Sequence, residues 1–300
     1  MTNAVELVEV SARDGLQNEP EHLSTEQKLE LISRSVAAGL KRMEVASFVN
    51  PKKVPQMADA AEVMAGLPKN DGVTYIALAL NRRGFERAAD AGAKEVNFVL
   101  AASDTFAVRN SGASMVGLVD ALTEVAALAN DAKIRVTATI SVAFGCPFEG
   151  EVPAETVNDL ARRAADAGVF EVAFADTIGV GVPSQVRELF GRARASAPEV
   201  QLRAHFHNTR NTALANALAA FECGVKVIDG SLAGVGGCPF APGAAGNVPT
   251  EDLVYLFERM GISTGIDLNC AIDTARFIGA ALGKVTPGMV SRAGGFPVRG

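Results

Sequence analysis

Cysteine is scarce in this chain: Cys146, Cys223, Cys238 and Cys270 lie far apart, with no Cys-x-x-Cys pair among them. That excludes a disulfide scaffold and a structural zinc site, and fits reduced thiols. No block of lysine and arginine stands out, and 28 basic against 34 acidic residues leave a net charge of -6. Nucleic acid is therefore excluded as the main partner, because a protein that tracks phosphates needs a basic stripe. No apolar run reaches the ~18 residues needed to span a bilayer, so no membrane role is expected. The N-terminus passes directly into the strand-like run Val5-Glu6-Leu7-Val8-Glu9-Val10, without a basic leader, an apolar leader core or an Arg-rich presequence. On that pattern the protein is expected in the cytoplasm. Histidine is scarcer still, with three residues in the whole chain.

What is present is a large apolar fraction, 48% of 300 residues, enough for a sizeable core. Four segments share one pattern, an Ala-rich amphipathic stretch ending at glycine and followed by an apolar strand: they centre on Gly39, Gly92, Gly168 and Gly224. Glycine just past a helix takes the left-handed conformation at little cost, so each reads as a helix-to-strand turn. Filling the gaps gives eight strands near 4–10, 42–47, 73–80, 95–101, 134–141, 170–175, 201–207 and 225–230. Helical patterns such as Thr25–Ala38, Pro153–Ala167 and Thr212–Cys223 lie between them. Start signals support them: Ser24 with Gln27 three residues on, and Pro153 followed by Glu155. Strands alternating with helices imply parallel βαβ units, and eight of them predict an α/β protein with a single (β/α)8 TIM barrel over 1–283. An open doubly wound sheet is disfavoured because no Gly-x-Gly-x-x-Gly follows the first strand. Residues 284–300, rich in glycine and proline, are expected to form a mobile tail or lid outside the barrel.

In such barrels the chemistry sits at the C-terminal ends of the strands. Two of the three histidines fall there as His205-Phe206-His207, and residues two apart on a strand share a face, so both imidazoles converge on one spot. Other strand ends carry Arg13-Asp14-Gly15, Glu44 and Ser47, Asp176-Thr177, and, past strand eight, Gly236-Gly237-Cys238-Pro239 with Gly246-Asn247. Singly, each has a plainer reading: Asp14-Gly15 as a turn, Asp176 as a helix cap, Glu44 as an ion-pair partner. Together, a carboxylate, two imidazoles and a side-chain amide at one mouth point to a divalent metal, and the absence of thiolate favours magnesium or manganese over structural zinc. The glycine-rich stretch 234–246 reads as a closing loop around Cys238, a thiol able to act as acid, base or nucleophile; Gly-Cys-Pro-Phe recurs at 145–148 with Cys146. Lys52 and Lys53 form a short basic loop after strand two.

These motifs, with Ser47-Phe48-Val49-Asn50-Pro51, Val54-Pro55-Gln56-Met57 and Asp176-Thr177-Ile178-Gly179-Val180-Gly181, closely resemble the 3-hydroxy-3-methylglutaryl-CoA lyase family over about residues 5–282. The wider group consists of metal-dependent barrels that make or break carbon–carbon bonds beside an acyl carbonyl. The resemblance implies retro-Claisen cleavage of a CoA thioester to acetyl-CoA and a 3-keto acid. It implies Asp14, His205, His207 and Asn247 as ligands of the divalent ion. Arg13 would stabilise the enolate oxygen, Cys238 would move a proton to or from the reacting carbons, and Glu44 and Asp176 would orient or relay protons. A condensing synthase is the alternative; such synthases carry further C-terminal domains, and this sequence stops about where the barrel does, which favours the lyase. A homodimer is also expected, through the apolar faces that a helical barrel exterior offers.

The chain departs from the family pattern in three places relevant to specificity. Where these lyases read Asp-Thr-Tyr-Gly after the second histidine, this chain has Asn208-Thr209-Arg210-Asn211, and Thr139 stands where a tyrosine facing the pocket is expected. Thr139, Asn208 and Arg210 therefore predict an acyl substituent larger than methyl, or a polar one paired with Arg210.

Overall fold

In the computed structural model, residues 3–69, 71–237 and 246–297 are described. Ser24 opens the first helix, α1 (Thr25–Ala37), with the capping box expected of it: its hydroxyl accepts from the Gln27 amide and the Gln27 side chain accepts from the Ser24 amide. The eight strands are β1 (Glu6–Glu9), β2 (Arg42–Ser47), β3 (Thr74–Ala79), β4 (Glu95–Ala101), β5 (Arg135–Ser141), β6 (Glu171–Asp176), β7 (Gln201–Phe206) and β8 (Val227–Gly230). All pair in parallel in sequence order, and β1 closes on β8 with Glu6 opposite Val227. The (β/α)8 barrel predicted from the strand and glycine repeats is the observed fold. The helices that matter below are α2 (Ala60–Gly66), α3 (Arg82–Asp90), α4 (Asp104–Ser111), α5 (Met115–Ala132), α6 (Ala154–Asp166), α7 (Pro183–Ser196), α8 (Ala213–Glu222), α9 (Thr250–Arg259), α10 (Leu268–Leu282) and α11 (Val290–Ala293).

The main apolar core lies between barrel and helices, with Leu31, Phe98, Phe174, Phe190 and Phe257 fully covered. The barrel's inside is different. A small apolar group, Val8, Val10, Ile76 and Val227, fills part of it. The rest is ionic: Arg42 of β2 donates to both oxygens of Glu171 at 2.9 Å and pairs with Glu95 of β4. Side chains two residues further along a strand stack on the same face. Glu44, Asn97 and Asp229 therefore form the next layer towards the C-terminal mouth, all of them buried.

The segment after α10 is not a free tail. Its Gly288 amide donates to the Ala233 carbonyl at 3.2 Å, Lys284 pairs with Glu19, and Asp252 on α9 accepts from the Met289 and Val290 amides at 3.2 and 2.7 Å. Thr286 and Ser291 are buried. Where the sequence suggested a mobile tail or lid, the described segment packs on the barrel between Lys284 and Ser291. Gly294, at φ +81°, ends α11, and the anchoring acid, Asp252, sits on another element.

Candidate metal centre at the barrel mouth

The first turn after β1 winds as a π-helix, Ser11–Gly15, a geometry often found at functional sites. It carries Arg13 and Asp14 to the mouth, where β7 presents both histidines. Nε2 of His205 lies 3.9 Å and Nε2 of His207 3.8 Å from Asp14 Oδ2. One donor atom from each of the three residues falls within 4.8 Å of the others. Asn247 closes the group, its amide nitrogen donating to Asp14 Oδ2 at 2.8 Å and to the Val235 carbonyl at 3.1 Å. Its Oδ1 is buried with no partner among the described residues. A buried orphan oxygen beside a carboxylate and two imidazoles is a donor set with the chemistry of a divalent-ion site, so the residues fit the metal the sequence predicted.

Electrostatics prepare these groups as ligands. Burial opposes ionisation of Asp14, yet Arg13, the two imidazoles and the Asn247 amide hold its carboxyl well below the usual range. Burial, then the neighbouring His205, pushes His207 down to about 4, leaving a neutral imidazole able to donate its lone pair. Room is made by Gly236, at φ +107°: a Cβ there would stand 2.6 Å from Asn247 Nδ2 and 2.9 Å from the Asp14 carbonyl oxygen.

Arg13 is fixed on two sides, by an ion pair with Glu44 and by a 2.7 Å bond from Nη1 to Asp14 Oδ1. Glu44 is buried beneath it and accepts from Asn97 at 2.7 Å through its other oxygen, so it orients Arg13. The β2 ladder shifts register between Glu44 and Ala46, a local irregularity of the kind that re-aims a side chain. The cavity above, about 370 Å³, is lined by Arg13, Asp14, both histidines and Thr139, with Leu78, Leu80 and Val99 as apolar wall and Lys53 and Arg109 as cations.

Three predicted residues do other work than expected. Asp176 is not among the cavity-lining residues: its two carboxylate oxygens accept from the Val180 and Gly181 amides, both at 2.9 Å, so it holds the loop after β6. Arg210 also misses the cavity. It is exposed and donates to the carbonyls of Ile178 and Gly179 at 3.1 and 3.0 Å, gripping that same loop from outside. Asn208 accepts from the Ala213 amide at 3.2 Å, a cap on α8, and likewise lies outside the cavity lining. Thr139 is where the sequence put it, half-buried in an otherwise covered stretch of β5, its hydroxyl donating to Asn97 Oδ1 at 2.9 Å.

Cys238 lies outside the described residues. Gly237 just before it lines the cavity and accepts from Asn18 at 2.8 Å. The other copy of the motif places Cys146 in a buried turn, accepting from Ser103 Oγ at 2.9 Å and not lining the cavity. Sequence reasoning missed Asp229, at the end of β8, which bonds His205 Nδ1 at 3.0 Å. Burial would raise its carboxyl, but Arg203 and His205 together bring it below its ordinary value. The strand-end rule applied to Val227–Gly230 points to it.

Comparison with known proteins agrees with this geometry. The family model described as HMGL-like matches residues 4–278. The chain belongs to the HMGL-like family. The hydroxymethylglutaryl-CoA lyase of Pseudomonas mevalonii is 45% identical over 97% of this chain and 96% of its own. The 3-hydroxy-3-isohexenylglutaryl-CoA/hydroxymethylglutaryl-CoA lyase of Pseudomonas aeruginosa is 43% identical over 96% of each chain. A solved HMG-CoA lyase from Acinetobacter baumannii, in complex with coenzyme A and 3-methylmalate, superposes with a TM-score of 0.94 at 39% identity, covering 99% of this chain and 98% of its own. Members of the HMGL-like family with these names are lyases, which favours cleavage over the condensing-synthase alternative.

Proposed function

We propose that this chain is a divalent-metal-dependent carbon–carbon lyase that cleaves 3-hydroxy-3-methylglutaryl-CoA, or an analogue with a larger 3-alkyl group, to acetyl-CoA and a 3-keto acid. The observation that carries this reading is the convergence of Asp14, His205, His207 and Asn247 beside a pinned Arg13 at the barrel mouth. A bound divalent ion, with magnesium or manganese the proposed choice, supplies Lewis acidity towards the substrate's hydroxyl and acyl oxygens. Arg13, locked by Glu44 and Asp14, offers preorganised positive charge where the thioester oxygen becomes an enolate. Cys238, next in sequence after Gly237, is assigned the proton at the cleaved carbon. Lys53 and Arg109 at the cavity rim suit the phosphates of a CoA ester.

Thr139 supports the larger-substituent form of the reading, since a short side chain tied back to Asn97 leaves the cavity open towards Leu78 and Val99. The relatives' names span a methyl and an isohexenyl substituent. The reading also includes a cytoplasmic homodimer, with the exposed Val285, Met289 and Phe296 as apolar surface for pairing. The test is kcat/KM for the methyl substrate beside 3-hydroxy-3-alkylglutaryl-CoA esters of increasing length. A ratio that rises or holds with length in the wild type and collapses in Thr139→Tyr supports the assignment. Equal selectivity in both proteins contradicts the role given to Thr139, and cleavage of none of the esters contradicts the function itself.

A further inference from the structure

Two imidazoles aim Nε2 at Asp14, but their far nitrogens are treated differently. Nδ1 of His207 is buried with no partner among the described residues. Nδ1 of His205 meets Asp229 Oδ2 at 3.0 Å, and both residues are buried. A carboxylate on the far nitrogen fixes a ring's rotation and tautomer and strengthens the near nitrogen as a donor. Building on the metal-centre reading above, we infer that Asp229 is a positioning residue which acts through His205 to set the affinity of the site for its ion.

Asp229 is itself held from below. Arg203 stands two residues before His205 on β7 and shares its face, with Nε 3.4 Å from Asp229 Oδ1 and Nη1 3.3 Å from Glu171 Oε1. Glu171 in turn takes two bonds from Arg42. The carboxylate therefore tops a buried ionic column running up from the floor of the barrel. Turning it away from His205 would cost it the Arg203 pairing in a setting where an unpaired charge is expensive. Nothing comparable among the described residues steadies the His207 ring, so the two ligands differ in rigidity by construction.

The experiment is a titration of the full chain with Mn²⁺, reading free ion by electron paramagnetic resonance, for wild type, Asp229→Asn and Asp229→Ala. Thermal melts and the ring-nitrogen NMR spectrum of the metal-free protein accompany it. The isosteric Asn variant is expected to bind Mn²⁺ about 10-fold more weakly and the Ala variant about 100-fold more weakly. The wild-type His205 ring is expected to carry its proton on Nδ1. The Asn variant keeps the side-chain volume and decides the matter if the Ala variant fails to fold. Unchanged Mn²⁺ affinity in the Asn variant, with or without a lower melting temperature, overturns the inference, as does a wild-type His205 ring protonated on Nε2. A wild-type chain that binds no Mn²⁺ overturns instead the metal-centre reading on which the inference rests.

Discussion

Asp14 shares one carboxylate between two tasks: Oδ1 takes Arg13 and Oδ2 faces both histidines and Asn247. Replacing it with Asn keeps the shape and removes the charge that binds the ion and helps pin Arg13. Asp14→Asn is therefore expected to lower kcat/KM at least about 100-fold, the scale set by losing one well-placed electrostatic group; a steady-state assay at saturating Mn²⁺ checks this. Glu251 gives a stability test away from the chemistry. Its Oε2 accepts from the Ala233 amide, Oε1 has no partner among the described residues, and burial pushes its pKa up to about 8. Between its ordinary value near 4.5 and 8, the folded chain keeps a proton that the unfolded chain has released. Stability from this group is thus fully present below 4.5 and is lost as pH rises through 8. A carboxyl displaced that far from its ordinary value loses on the order of a few kcal/mol across this window. Urea midpoints at about pH 5 and about pH 8.5, on either side of that window, should converge in Glu251→Gln, and an unchanged difference would count against the assignment. Of the site, the sequence showed the residues whose type and spacing carry chemistry: Asp14, the histidine pair, Asn247 and Arg13. For Asp176 it offered backbone capping only as one of two readings, and it could not show Arg210 on the Ile178 and Gly179 carbonyls, because those partners are fixed only by how the loop after β6 folds.

That loop shows how an element is shaped from several strands at once. Asp176 holds it from within and Arg210 from outside, while Gly179, at φ +60°, lets it pass close to the His207 carbonyl, where a Cβ would stand 2.9 Å away. Asn211 adopts φ +58° at the position where the family pattern has glycine, and asparagine is among the side chains that best tolerate that region. Residues 208–211 thus keep a glycine-like backbone at Asn211, and none of them is among the residues lining the cavity. The segment after α10 is docked by comparable means. Asp252→Ala removes the acceptor for two amides at the start of α11, a cap change that costs about 1 kcal/mol. Faster hydrogen exchange at Met289 and Val290, with α9 unaffected, is the expected result. The strands and most helices were legible because alternation, glycine stops and the Ser24 capping box are local signals. The docking of 284–291 was not, because it depends on Asp252 and Ala233 from elsewhere in the chain.

At the scale of the whole molecule, the barrel joins a stability layer to a reactive one. Arg42, Glu95, Glu171 and Arg203 pair near its floor, Glu44, Asn97 and Asp229 form the layer above, and the metal ligands sit on top. Removing one partner from the lower group leaves a buried charge uncompensated, and Arg42→Met is expected to cost about 3–5 kcal/mol. A chemical denaturation curve would show it as a large fall in midpoint. The closed eight-stranded fold was readable from the count of βα units, but the ionic interior was not, since a charged residue inside a strand reads equally well as facing solvent until the barrel closes. The central claim is that this mouth binds a divalent ion and uses it, with Arg13 and Cys238, to break a carbon–carbon bond. The most direct test is acetyl-CoA release from 3-hydroxy-3-methylglutaryl-CoA and a longer 3-alkyl ester, with Mg²⁺ or Mn²⁺, with EDTA, and in Cys238→Ala. The account predicts release from at least one ester that EDTA abolishes, that added metal restores and that the Cys238 variant largely loses. Release that persists undiminished in EDTA, or none from either ester by a chain shown to bind Mn²⁺, would contradict it.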